Sequence, residues 1–211
     1  MKCRHPISDD MKCRDYTVAM GRWPPGARSR LEGAALELFV EQGFAETTVP
    51  QIAERAGLTT RTFFRHFADK RSVLFGVEDE FPALIERLMG EMPLSHDPMT
   101  ALVEALRAVT ATRFDGLFDY LKARRAVIET DEGLRERELR KVSLLSDVIE
   151  TTFINRGFDD LTSSLAAHTA VNIFSVALDR WLDQKRPRRT LSEYLDETID
   201  AFGQLNTLVT L

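Results

Sequence analysis

Apolar residues recur along this chain at intervals of three and four, and that spacing predicts helices from about residue 28 to the C-terminal end. The first runs through RSRLEGAALELFVEQGF, with Ala34, Ala35, Leu38 and Phe39 as its core stripe and Gly43-Phe44 as its end. A second, short helix is expected just after Thr48, whose hydroxyl can cap the free amides of Val49 to Gln51 while Pro50 occupies the first turn. Its apolar face is Val49, Ile52, Ala53 and Ala56, and Gly57 supplies the positive φ of a tight exit, with Leu58 filling the angle to the next helix. Thr59 or Thr60 caps that third helix, Arg61 to Phe67, where Phe63 and Phe67 point inward and Arg61, Thr62, Arg65 and His66 point elsewhere.

The rest continues as helix after helix. Asp69 is expected to cap a fourth, running to about Met92, and Pro93 and Pro98 bracket a loop before one that ends near Thr112. Asp115 to Thr130 and Asp131 to about Asn155 follow, the latter closed by Arg156-Gly157. The last two are Asp159 to about Gln184 and Leu191 to Leu208. Leu161, Leu165, Val171, Phe174, Leu178 and Trp181 make the first of this pair apolar nearly all round, and a helix apolar on several faces needs cover on several faces. A second copy of the chain is the expected cover, with Phe174, Leu178, Trp181, Leu195, Ile199 and Phe202 at the interface of a homodimer.

A short helix that spends so much surface on hydrogen-bonding tips is poorly explained by packing. The DNA major groove admits one helix and offers guanine acceptors suited to Arg and thymine methyls suited to Thr and aromatic carbons. The ordered string TTVPQIAERAGLTTRTFFRHFADK, with the first helix before it, resembles the DNA-binding domain of TetR-family transcriptional regulators from Arg28 to about Leu74. The chain departs from the family pattern at Phe64, where a Tyr is usual. The resemblance implies that Thr60, Arg61, Thr62, Phe64 and His66 face the groove, that Lys70 grips a phosphate, and that Thr47 and Thr48 hold the DNA backbone from the preceding helix. It further implies a repressor released from a pseudo-palindromic double-stranded DNA operator by a small-molecule effector.

Net charge is −5, which at first sight speaks against a nucleic-acid partner. From Gly21 to Gly76, however, 8 Lys/Arg face 6 Asp/Glu, whereas from Val77 to Leu211 the count is 16 against 24, so the acid sits away from the proposed reader. Arg22, Arg28 and Arg30 form a basic arm suited to clamping phosphate. The basic run Lys185 to Arg189, broken by Pro187, reads as a solvated loop.

Catalytic signatures are absent from the sequence: there is no G-x-S-x-G, Walker loop, H-E-x-x-H or G-x-G-x-x-G, and His5, His66, His96 and His168 share no ligand spacing. The chain is therefore expected not to be an enzyme and to need no cofactor or metal. Cys3 and Cys13 lie in a repeated Met-Lys-Cys-Arg before the first helix and read as incidental; Met11 and Met20 are alternative starts. With no run of ~18 consecutive apolar residues and no signal-peptide core, a cytoplasmic protein with no membrane partner is expected.

The expected architecture is all-α. Residues 1–23 form an N-terminal arm, 24–70 a helix-turn-helix domain and 71–211 a helical domain for effector binding and dimerisation. Candidate pocket residues are Leu106, Phe114, Phe118, Leu121, Leu145 and Phe153, all equally good core residues. Arg124 is a candidate for fixing an acidic ligand, and His168 is either a core histidine or an effector contact. The alternative function is a helical small-molecule-binding or adaptor protein with a vestigial or effector-independent DNA reader.

Overall fold

Gly43, at φ +90°, and Gly57, at φ +64°, set the two turns that fold the N-terminal helices on one another, a conformation that residues with a Cβ resist. A computed structural model describes residues 26–75, 81–91, 97–114, 116–186 and 188–208, and every regular element among them is helical. The N-terminal arm with Cys3, Cys13 and Arg22, and Pro93, His96, Asp115 and Pro187, lie outside the described residues.

Helix α1 (Ala27–Gln42) buries Leu31, Ala34, Ala35, Leu38 and Phe39, the expected stripe, and the amide of Gly43 closes it on the Phe39 carbonyl. Helix α2 (Val49–Arg55) opens on a capping box: the Thr48 hydroxyl accepts from the Gln51 amide while the Gln51 side chain accepts from the Thr48 amide. Its far end closes with the paired bonds of a Schellman turn, Leu58 N to Ala53 O at 2.8 Å and Gly57 N to Glu54 O at 2.9 Å. Helix α3 (Thr60–His66) is capped by Thr59, not Thr60, and hangs on the fully buried Phe63.

The fourth helix does not start at Asp69. Asp69 instead accepts from the Ser72 amide at 2.6 Å where a single 3₁₀ turn, Ser72–Leu74, begins, and the next helix described is α4 (Phe81–Glu91). Val73, Leu74 and Phe75 are drawn into the core, which favours a tight turn over continued helix. The remaining helices fall close to expectation: α5 (Pro98–Arg113), α6 (Phe118–Ile128), α7 (Glu132–Asn155), α8 (Asp160–Leu182) and α9 (Leu191–Leu208).

Contacts group Met1–Asp79 with Asp119–Glu138 in one unit and Glu80–Phe118 with Leu139–Leu211 in the other. That differs from a boundary at residue 70, and the reason lies in buried chemistry. Arg124 donates from Nε to the Leu74 carbonyl at 2.7 Å, pairs with Glu138 at 2.7 Å and lies 4.9 Å over the Phe75 ring. Arg137 covers the same ring at 5.0 Å. An arginine reaching fifty residues back leaves no mark in local periodicity.

In the second unit α8 packs on α9 and α5, and among its buried residues are Ala166, Ala167, Ala170 and Ala177. Small side chains of this kind let helix backbones approach closely. Asp97 and Asp159 cap α5 and α8. Helix α8 is long and apolar enough to cross a membrane by length and composition, a property it shares with core helices of globular proteins.

Candidate nucleic-acid interface

Most cations of the first unit are held by protein groups. Arg55 reaches from α2 to Glu37 and Glu41 of α1, at 3.1 and 2.8 Å, and hydrogen bonds to Glu41 and Glu37 push its pKa further up. Arg28 donates to the buried Glu32 at 3.2 Å and lies 5.4 Å over the Phe67 ring. Arg30 donates to the Ala56 carbonyl. Both residues belong to α1 rather than to a free arm, so their expected role as phosphate clamps gives way to internal bonding.

Lys70 is held in the same way. Its ammonium donates to the carbonyls of Phe44 at 2.6 Å, Ala45 at 3.3 Å and Thr47 at 2.8 Å, and sits 4.3 Å over the Phe44 ring. Desolvation pushes its pKa below the usual lysine value, while these three carbonyls favour the charged form. An ammonium has three donors, and here all are taken by the loop after α1, so the phosphate grip expected of Lys70 is replaced by a strut. Thr47 is also inside: it is buried, donates to the Gly43 carbonyl at 2.8 Å and accepts from Gln42 at 3.2 Å. Thr48 stays exposed but works as the α2 cap.

Helix α3 presents the contrasting surface. Thr60 and Arg61 are exposed, and Phe64 is 58% exposed while packing edge-on against Phe63 at 5.5 Å. Arg61 and Arg65 make no hydrogen bond or ion pair among the described residues, and no carboxylate stands between Glu54 and Asp69 in the sequence. Arg65 was absent from the expected contacts, yet it follows Arg61 by one helical turn and shares its face. Thr62 is half-buried, its amide donating to the Thr59 hydroxyl at 3.2 Å. His66 differs from expectation: three residues after Phe63 it turns the same way, and its Nε2 is buried without a partner among the described residues. Of the expected contacts the fold therefore gathers Thr60, Arg61 and Phe64 on one open face, and it adds Arg65 to them.

The effector candidates are divided between the two units. Leu121 and Arg124 belong to the first unit, whereas Leu106, Phe114, Phe118, Leu145 and Phe153 belong to the second. Arg124 is spent on Leu74 and Glu138, so it is no free anchor for an acidic ligand. His168 is exposed, its Nδ1 2.9 Å from the Ser164 carbonyl, and lines no core. In the second unit Phe114 lies against Phe174 and Trp181 at 5.6 and 6.4 Å, and Phe118 against Trp181 at 5.1 Å.

Two of the expected interface residues are core residues of their own subunit. Trp181 is buried and donates its indole N–H to the Arg189 carbonyl at 3.1 Å, and Leu195 is fully buried. The open side of α8 instead carries Leu161, Leu165 and Val176, with Leu205 open on α9. The basic loop is less solvated than expected, because Arg189 pairs with Glu197 at 2.8 Å and stacks over Tyr194 at 4.5 Å.

Two short helices set by a positive-φ glycine, the second exposing unpaired arginines, define a helix-turn-helix DNA-binding protein. Residues 33–77 match the family model "Bacterial regulatory proteins, tetR family". The transcriptional regulator TcmR of Streptomyces glaucescens is 31% identical over 156 residues, 70% of this chain and 67% of TcmR. MftR of Mycobacterium tuberculosis is 25% identical over 187 residues, 87% of this chain and 93% of MftR. A TetR-family regulator of Syntrophomonas wolfei shares the fold at TM-score 0.60 and 20% identity, over 85% of this chain and 94% of its own. The chain belongs to the TetR family and is a DNA-binding transcriptional regulator.

Proposed function

We propose that the chain acts as a homodimeric repressor: it lays α3 in the major groove of a pseudo-palindromic operator and is released when a small-molecule effector binds the second unit. The observation that carries the DNA reading is the pair Arg61 and Arg65, exposed and unpaired on one face of α3 while Arg28, Arg30 and Arg55 are all bonded. Free guanidinium forks beside an open aromatic ring suit guanine edges and thymine methyls.

The dimer reading rests on Leu161 and Leu165, 70% and 61% exposed, and on Val176 and Leu205. A second copy of the chain is the natural cover, since two linked readers bind a two-fold site far better than one. The effector reading rests on the aromatic cluster Phe114, Phe118, Phe174 and Trp181, and the repressor reading is supported by the similar "transcriptional repressor" KstR2 of Mycolicibacterium smegmatis. An effector works only if it prefers the DNA-incompetent conformation. The site of action of such a regulator is the cytoplasm.

The deciding experiment is selection of duplexes from a random pool with the full chain, followed by titration of the selected duplex with Arg61→Ala. The expected loss is about 1–3 kcal/mol with relaxed preference at one base pair. Unchanged affinity and preference would remove α3 from the groove. Genome-wide mapping of occupied sites would then place the operator and suggest the effector from the adjacent genes.

A further inference from the structure

Helix α2 leaves carbonyls unsatisfied at its C-terminal end, as every helix does. The Schellman bonds from Gly57 and Leu58 use those of Glu54 and Ala53. The Ala56 carbonyl, at the C-cap itself, is taken by Arg30 of α1, twenty-six residues earlier. A Cβ built on Gly57 would lie 2.8 Å from the Arg30 Nη2, inside any real contact distance. Gly57 thus serves twice: its φ of +64° is one that a Cβ disfavours, and its missing side chain leaves the space in which the guanidinium sits, so that a Cβ there would displace the Arg30 tip.

We propose that Arg30 is a positioning residue for operator binding, which locks the α2–α3 turn by holding the Ala56 carbonyl in the space left open by Gly57 and so fixes the pose of α3. The turn has only Leu58 and Thr59 between this lock and the first residue of α3, and Thr59 is the α3 cap. Any rotation of the turn is therefore passed directly to Arg61 and Arg65. At the other end of α3, Arg28 over the ring of Phe67, the C-cap residue, steadies the exit. Arg30 serves the reading of DNA without being one of the groups that read it.

The proposal rests on α3 being the groove helix, which Arg61→Ala tests independently of Arg30. The probe is the duplex selected by the full-length chain, and Kd is measured across a salt series for Arg30→Ala, Arg30→Lys, Gly57→Asn and the double variant Arg30→Ala with Gly57→Asn. Asn tolerates positive φ, so Gly57→Asn tests mainly the added Cβ. Arg30→Ala should weaken binding about three- to ten-fold for each half-site, the worth of one hydrogen bond to a carbonyl otherwise left bare. Arg30→Lys, which keeps a donor, should recover most of this.

Gly57→Asn should cost much less in the Arg30→Ala background, because there is no guanidinium left to expel. The salt slope should be unchanged. A slope shallower by about 0.9 in Arg30→Ala would mean that Arg30 contacts phosphate directly, and would overturn the proposal. Full additivity of the two substitutions, or wild-type affinity in Arg30→Ala, would overturn it equally. If Arg30→Ala fails to fold, Gly57→Asn still decides: wild-type affinity in that variant would exclude a lock.

Discussion

The two units treat their arginines and aromatics in opposite ways. In the first, buried phenylalanines set a frame and two arginines of α3 are left open to solvent. In the second, the side chains that looked most like contact residues, Trp181 and Leu195, are inside, and the open face of α8 is built from Leu161, Leu165 and Val176. Exposed charge marks the surface that meets a polyanion, and exposed aliphatics mark the surface that meets another apolar face. Two variants within the second unit sharpen the contrast most. Trp181→Ala removes an anchor packed on Phe114 and Phe118 and should cost about 3–5 kcal/mol in denaturant unfolding. Leu165→Glu should keep the helical signal but sediment as a monomer, and a monomer from Trp181→Ala with unchanged stability would reverse the assignment.

The reader was legible in sequence because its signals are local. A hydroxyl before a helix, a glycine after it and phenylalanines one turn apart each act within a few residues, so Thr48, Gly57, Phe63 and Phe67 fell where expected. Long-range partners were illegible. Nothing near Lys70 announces that it caps the loop at Phe44, Ala45 and Thr47, and nothing near Arg124 announces Leu74 and Glu138. On α8 the difficulty was different: its apolar residues surround the helix, so periodicity gave no preferred side, and the buried side turned out to be the alanine-rich one. His66 was misread through register, since three residues from Phe63 is the inward direction.

Arg124 and Arg61 turn the same comparison into a smaller, sharper test within the first unit. Arg124→Ala removes the guanidinium that donates to the Leu74 carbonyl and pairs with the partly solvated Glu138, and should lower stability by about 1–3 kcal/mol. Arg61→Ala should stay within about 0.5 kcal/mol of the parent, since an exposed side chain without partners holds nothing together. Chemical denaturation of both variants checks this. A destabilised Arg61→Ala would mean that α3 uses its arginines for structure.

Helix caps come next in size. Thr48→Ala removes one half of the capping box and should cost about 1 kcal/mol, and Thr59→Ala a similar amount with a larger loss of DNA binding, because Thr59 starts the groove helix itself. Thermal unfolding and titration with the selected duplex separate the two effects. Equal losses of DNA binding would show that the pose of α3 is set by the rest of the fold rather than by its own cap.

The caps of α5 and α8 are carboxylates whereas those of α2 and α3 are hydroxyls, and acid should therefore tell these helices apart. Asp97 is held below its ordinary value of 3.8 by hydrogen bonds from the hydroxyl and amide of Thr100, and Asp159 by those from the amide and hydroxyl of Thr162. A carboxyl with a depressed folded pKa contributes its full stability above the unfolded value and loses it as pH falls through the folded one. The α5 and α8 caps should thus weaken as pH drops below 3.8, while the Thr48 and Thr59 caps are indifferent to it. Both aspartates are solvent-exposed, so the effect is the smallest of those argued here. Asp159→Asn keeps an acceptor that cannot titrate, and its unfolding midpoint should fall less than that of the parent between about pH 4 and pH 2. Parallel acid limbs in the two proteins would mean that the Asp159 carboxylate caps α8 without gaining anything from its charge.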